Sequence, residues 1–199
     1  MMKRCRTHVV ALLFLVVGLA GCKVDSINPI SAGGDARPDA ALYGVWQHKA
    51  RGELTYVHIG PEFSLSAGST AATANRRTRI VLIDHKTNGL TDEAYVAHGS
   101  RIGKRRYLNV LQVEDGKPAG YIFVQYALID KNTLRFSMLD GEALKAAIRA
   151  GRIKGTTRGE GLASETAITA ESTEIADFLG QDGGKLFTKP LVLRRAARP

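Results

Sequence analysis

The residues that could do chemistry here are few and scattered. His8, His48, His58, His85 and His98 are spaced neither as H-x-H nor as H-E-x-x-H, so no metal site is expected. Asp84-His85 has the residue types of an acid–base pair, but adjacent residues on a strand point to opposite faces. Gly159-Glu160-Gly161-Leu162-Ala163-Ser164 approaches the G-x-G-x-x-G loop that cradles a dinucleotide. Its last glycine is missing and no helix opens behind it, so it reads as a loop. Ser100, in His98-Gly99-Ser100, brings a hydroxyl without an evident base, and neither G-x-S-x-G nor S-x-x-K occurs. No catalytic residue is assigned. Carboxylate pairs meet in space rather than in sequence, which leaves a hydrolase open as a class.

The two cysteines, Cys5 and Cys22, both lie in the first 22 residues. Lys3, Arg4 and Arg6 open the chain without an acid, and an unbroken apolar run, Val9 to Ala20, follows them. A bilayer-spanning helix needs about 20 apolar residues, so this run has the length of a signal-peptide core. It ends in Leu19-Ala20-Gly21-Cys22, which resembles the lipobox of bacterial lipoproteins.

The resemblance covers only these first 22 residues, and all four positions agree. It implies signal-peptidase recognition through Leu19, Ala20 and Gly21, whose small members admit the peptidase. It also implies a thioether from the Cys22 thiol to diacylglycerol and an acyl chain on the freed amine. One acyl chain binds membranes reversibly, whereas two or more anchor stably. In enterobacteria such proteins go to the outer membrane unless Asp follows the cysteine. Here Lys23 follows, which implies an outer-membrane anchor with the domain on the periplasmic side. No cofactor beyond this covalent lipid is expected. Cys5 leaves with the signal, so the mature chain has no internal disulfide.

The composition is that of an ordinary globular protein, 44% hydrophobic and 24% charged, which excludes collagenous and wholly disordered classes. The formal charge is +9, and removing residues 1–21 with their three bases lowers it to +6. In an envelope protein that excess suits anionic lipid or a cell-wall polymer rather than nucleic acid. Clusters at Arg76-Arg77-Arg79, Arg101-Lys104-Arg105-Arg106 and Arg149-Arg152-Lys154-Arg158 carry it. If two of them met on one face, they could hold the domain against anionic lipid.

Three segments are expected: a signal peptide over 1–21, a lipidated N-terminus with a flexible tether over 22–40, and a single β-rich domain over 41–199. Two prolines and two adjacent glycines mark the tether. Glu53–Ile59 alternates, with Leu54, Tyr56 and His58 on one face and Thr55, Val57 and Ile59 on the other. Ser64–Asn75 reads as a loop. Further strands are predicted over Arg79–Asp84, Glu93–Ala97, Arg106–Val113, Gly120–Leu128 and Thr133–Leu139. Asn88-Gly89 and Glu114–Pro118 mark hairpin turns, and His98–Lys104 reads as a glycine-bearing loop. Short connections demand antiparallel neighbours.

Asp140–Ala150 reads as a helix capped by Asp140 and stopped at Gly151, and Ala170–Leu179 as a second helix stopped at Gly180. Arg152–Thr157 and Leu191–Arg195 complete the strands. The expected fold is therefore mostly β (α+β): an antiparallel meander forming a curved sheet or small barrel of about eight strands with two short helices.

Gly44-Val45-Trp46 resembles the G-x-W that opens lipocalin barrels, in which the tryptophan packs across the closed end. The resemblance implies a late arginine covering Trp46, for which Arg194 and Arg195 both stand in place. Thr91-Asp92 departs from the family's Thr-Asp-Tyr, and a helix at 140–150 departs from its order. Tyr107 to Phe187 loosely resembles uncharacterised domains of proteobacterial lipoproteins, which implies no activity.

Tyr121-Ile122-Phe123-Val124-Gln125-Tyr126 is apolar on both faces. Trp46, Tyr121, Phe123 and Tyr126 are therefore candidates for a ligand cavity or a core. The reading is a membrane-anchored lipoprotein with a non-enzymatic binding or structural β domain. A lipocalin-like carrier of small apolar ligands and a hydrolase are the alternatives.

Overall fold

A computed structural model describes residues 23–31, 38–50, 53–62, 77–86, 89–159, 165–182 and 185–197. The signal segment 1–21, Cys22, the 64–75 loop, Asn88 and residues 160–164 lie outside these. The strands are β1 (Lys23–Ser26), β2 (Gly44–Ala50), β3 (Glu53–Pro61), β4 (Thr78–Lys86), β5 (Gly89–Ile102), β6 (Arg105–Glu114), β7 (Lys117–Asp130), β8 (Thr133–Met138), β9 (Gly155–Arg158), β10 (Glu165–Ile168) and β11 (Leu191–Arg195). The helices are α1 (Gly141–Arg149) and α2 (Ser172–Asp182), and a 3-10 turn covers Ala40–Leu42.

Strands β2 to β8 pair in chain order, each antiparallel to the next, and β11 then joins β8 to β2. Because β6 also pairs with β7, the eight strands close into an antiparallel barrel. The β3–β4, β5–β6 and β7–β8 connections lie at one end, with the 3-10 turn; we call this the floor. The β2–β3, β4–β5 and β6–β7 hairpins lie at the other end, the rim, together with an insertion between β8 and β11.

Alternation does what a half-buried strand requires. Thr55, Val57 and Ile59 of β3 are buried inside the barrel, whereas His58 on the other face is exposed. Trp46, Ile80, Leu108, Val110, Ile122, Leu134 and Leu193 join Val57 and Ile59 in this inner core. A second core lies outside the wall, where Tyr107 and Phe123 meet Leu144 and Ala147 of α1 and Ile175, Phe178 and Leu179 of α2. Strand β7 is thus covered on both faces, which is why its run carries no polar side.

The helices obey local rules. The Asp140 side chain accepts from the Glu142 and Ala143 amides at 3.0 Å each, and Gly151 leaves α1 with φ 68°. In α2 the Glu174 carboxylate accepts from the Glu171 amide at 3.1 Å and from Lys154 Nζ at 2.7 Å.

Four expectations need correction. Residues 23–31, expected as part of a free tether, are built into the sheet: β1 pairs parallel with β10 and meets β7 at Ser26↔Tyr121. His98–Lys104 is not a loop, because β5 runs to Ile102 and only Gly103-Lys104 turn. Strand β10, unexpected from the sequence, pairs with β9, which begins at Gly155 rather than Arg152. Helix α2 continues past Gly180 to Asp182.

Candidate functional site

The floor is built around Trp46, which has no exposed surface. Its indole Nε1 donates to the Leu42 carbonyl at 2.8 Å, tying β2 to the 3-10 turn that precedes it. Above the ring lies Arg195, its guanidinium carbon 4.1 Å from the ring centroid. Nε of Arg195 donates to the Lys131 carbonyl at 2.8 Å, Nη1 to Tyr43 at 2.8 Å and Nη2 to Ala41 at 3.2 Å. The planar fork thus satisfies three carbonyls while stacking on an aromatic face.

Of the two arginines open from the sequence, Arg195 covers the tryptophan, and Arg194 donates to Thr133 Oγ1 at 2.5 Å. Gly44 is explained by the same contact: with φ at 139°, any Cβ there would fall on the Arg195 guanidinium. The turn is fixed further by Asp39, whose Oδ2 accepts from Arg106 at 2.8 Å and from the Tyr126 hydroxyl at 3.1 Å. Burial, and next the Asp39 carboxylate, push the Tyr126 phenol well above its ordinary range.

Toward the rim the interior becomes polar and acidic. Asp84 is 5% exposed, and its Oδ1 accepts from Thr55 Oγ1 at 2.7 Å. One register step away, Leu82 pairs with Glu93, whose Oε2 accepts from the Tyr95 hydroxyl. Burial, reinforced by Glu93, raises the Tyr95 phenol far above its usual value. His48 lies opposite Thr55 on β2, and its Nδ1 makes a 3.1 Å contact with the Val192 carbonyl. That contact bridges the β2–β11 seam, where the ladder holds only two pairs, Arg194↔Gln47 and Arg195↔Trp46.

Two carboxyl groups and two hydroxyls facing one barrel interior favour a guest that donates hydrogen bonds or carries positive charge. Thr55→Val is expected to destabilise the fold by about 2 kcal/mol in urea titration, because it leaves a buried carboxyl without its donor. Asp84→Asn, which keeps an acceptor for Thr55, is expected to cost less.

The four candidate aromatic residues divide between the cores. Trp46 and Tyr126 belong to the barrel interior, while Tyr121 and Phe123 face outward and pack under the insertion. They do not line one cavity. Asp84 and His85 part as their adjacency demands, Asp84 inward and His85 outward against Tyr56, with ring centroids 5.4 Å apart. Nor do the histidines converge: His58 is exposed on the outer face of β3, and His98 sits on the outer wall. Among the described residues, no three of His, Cys, Asp and Glu could hold a metal ion.

His98 and Ser100 serve the N-terminal arm instead. Ile30 N donates to Asn109 Oδ1 at 2.7 Å, while Asn109 Nδ2 donates to the His98 carbonyl at 3.1 Å and to Ser100 Oγ at 2.7 Å. Ser100 Oγ lies 2.5 Å from Ser31 Oγ, and His98 Nε2 lies 3.0 Å from the Ser31 carbonyl. The nearest sign of this device in the sequence is one amide, Asn109, between Leu108 and Val110. Nothing in the sequence marks Asp39, or the inward bonding of Asp84 to Thr55 and of Glu93 to Tyr95.

Burial holds His98 below the ordinary imidazole range, against the raising effect of its Ser31 bond, and Arg77 lowers it further. The unfolded chain therefore takes up this proton first, and the stability His98 contributes is full above about pH 6.5 and lost as pH falls below it. Amide exchange at Ile30, corrected for intrinsic rate, is expected to lose protection between pH 7.5 and pH 5. His98→Gln should flatten that dependence.

Comparison with protein-family models, curated proteins and solved structures returns no match to this chain. Among the described residues, no helix is long and apolar enough to cross a membrane.

Proposed function

We propose that the chain is an acylated envelope lipoprotein, moored by lipid on Cys22 to the outer membrane and presenting its barrel in the periplasm as a non-enzymatic binding module. The observation that carries this reading is Leu19-Ala20-Gly21-Cys22 after a basic start and an apolar run, directly ahead of the first strand. The test is metabolic labelling with palmitate together with membrane fractionation. Label is expected in the wild type and is lost in Cys22→Ser, which leaves the membrane fraction. Unlabelled wild-type protein, with fractionation indifferent to Cys22→Ser, would overturn the proposal.

A second reading, a lipocalin-like carrier, is favoured by the Trp46–Arg195 floor. The carboxyls of Asp84 and Glu93 toward the rim disfavour an anionic head, so its guest is a neutral or cationic amphiphile. Native mass spectrometry and paired cationic and anionic fluorescent amphiphiles test this. Preference for the cationic probe, weakened by Glu93→Gln, supports it, and no uptake of either probe sinks it.

A further inference from the structure

The β5–β6 hairpin divides the basic cluster Arg101-Lys104-Arg105-Arg106 between two faces. Ile102 and Tyr107 pack outward in the second core, so strand alternation turns Arg101 and Arg106 to the inner face. There the register sets them directly opposite each other, Arg101↔Arg106, while Arg105 pairs with Ile102 on the outer face. Side chains so placed have Cβ atoms about 5 Å apart, and like charges in that relation repel. Across the next seam Arg106 pairs with Tyr126 of β7, so two guanidiniums and a phenol form one row at the floor end of the barrel.

Asp39 answers only one of the two cations. Its Oδ2 accepts from Arg106 Nη1 at 2.8 Å and from the Tyr126 hydroxyl at 3.1 Å, and its Oδ1 accepts from the Ala41 amide at 3.2 Å. Among the described residues, the Arg101 guanidinium has no hydrogen bond or ion pair. It lies near enough to Tyr126 for its charge to act on the phenol. Two guanidiniums against one carboxylate leave a positive charge uncompensated. Water reaches both: Arg101 is exposed, and the Arg106 side chain keeps 38% of its surface accessible even while bonded to Asp39.

We propose that Arg101 and Arg106 bind a phosphate group, free or esterified, at the floor, with Arg106 shared between this ligand and Asp39. A guanidinium fork matches phosphate bidentately, and a tetrahedral oxyanion presents oxygens to two forks at once. A planar carboxylate has only two oxygens, and Asp39 engages Arg106 without engaging Arg101. The bound anion also cancels the repulsion within the pair. The site is at the opposite end of the barrel from Asp84, and it does not depend on acylation of Cys22.

The test is calorimetric titration of the whole chain in neutral maltoside micelles, at constant ionic strength, with inorganic phosphate, glycerol 3-phosphate and acetate. Saturable binding of both phosphates is expected, with acetate weaker. Arg101→Gln should weaken phosphate at least about tenfold, as for one lost charge-assisted hydrogen bond, whereas Arg105→Gln should leave it within about twofold. Arg101→Gln empties no core site and relieves a repulsion, so without phosphate its urea midpoint should be no lower than that of the wild type. Added phosphate should raise the wild-type midpoint more than that of the variant, which shares any general salt effect. Phosphatidylglycerol mixed into the micelles identifies the source. Arg101-dependent binding tighter than that of glycerol 3-phosphate assigns the site to a lipid headgroup, and binding no tighter assigns it to a soluble ester. Absence of saturable phosphate binding, an equal loss in Arg105→Gln, or acetate bound as tightly as phosphate overturns the proposal.

Discussion

Trp46→Ala is expected to cost about 4 kcal/mol, the range for emptying a fully buried large aromatic site. For a domain of this size that is a fall in Tm of roughly 12 °C. The loss exceeds simple cavity formation, because the indole donor to Leu42 and the surface under Arg195 go with it. Arg195→Ala should cost about 2 kcal/mol, since it frees three carbonyls and uncovers the ring. Arg195→Lys should rescue little, because a single ammonium cannot serve three acceptors in one plane. Trp46 is the only tryptophan in the chain, so its emission reports the floor directly. Arg195→Ala is expected to shift that emission to longer wavelength before any global unfolding in urea. Unchanged emission together with unchanged stability would mean that the arginine is incidental to the floor.

Asn109→Ala is expected to cost about 3 kcal/mol and to release the arm. The Asn109 side chain is fully buried and serves three partners, the Ile30 amide, the His98 carbonyl and the Ser100 hydroxyl. Removing it leaves buried donors and acceptors unmet, each costing about 1–3 kcal/mol. Limited proteolysis distinguishes the effect from general softening: cleavage within residues 23–31 should rise well before cleavage within the barrel strands. Gly120→Ala should release the same arm from the other side. Gly120 sits at φ 147°, and an added Cβ would lie 2.8 Å from the Ser26 carbonyl oxygen.

The meander was legible because its signals are local. Alternation in Glu53–Ile59, the Glu114–Pro118 turn and the Asp140 cap each depend on a few neighbouring residues, and the structure shows all three. Arm docking was not legible. Residues 23–31 satisfy polar groups on strands and loops far later in the chain, from 67 positions on for Ser31–His98 to 142 for Asn28–Ala170. Prolines and serines that look like a spacer in isolation become lodged segments once such partners exist. The division of Tyr121 and Phe123 from Tyr126 was half legible. Strand parity sets Tyr121 and Phe123 against Tyr126, but only barrel closure decides which face is the interior. Asp84 is the clearest miss, since a carboxyl beside a turn looks solvent-bound until Thr55 is seen beneath the same wall.

Closure of the barrel depends on the strand pair most distant in sequence. On their β11 side Gln47 and Trp46 pair with Arg194 and Arg195, with the whole helical insertion lying between β8 and β11. Folding must therefore close a loop of nearly the entire domain for a ladder of two residue pairs, an entropically slow step. A nascent chain lacking residues 191–195 would expose two unpaired edges, those of β2 and β8, each able to recruit a neighbour. The molecule is thus most prone to aggregate late in its biogenesis, just before the final strand is supplied.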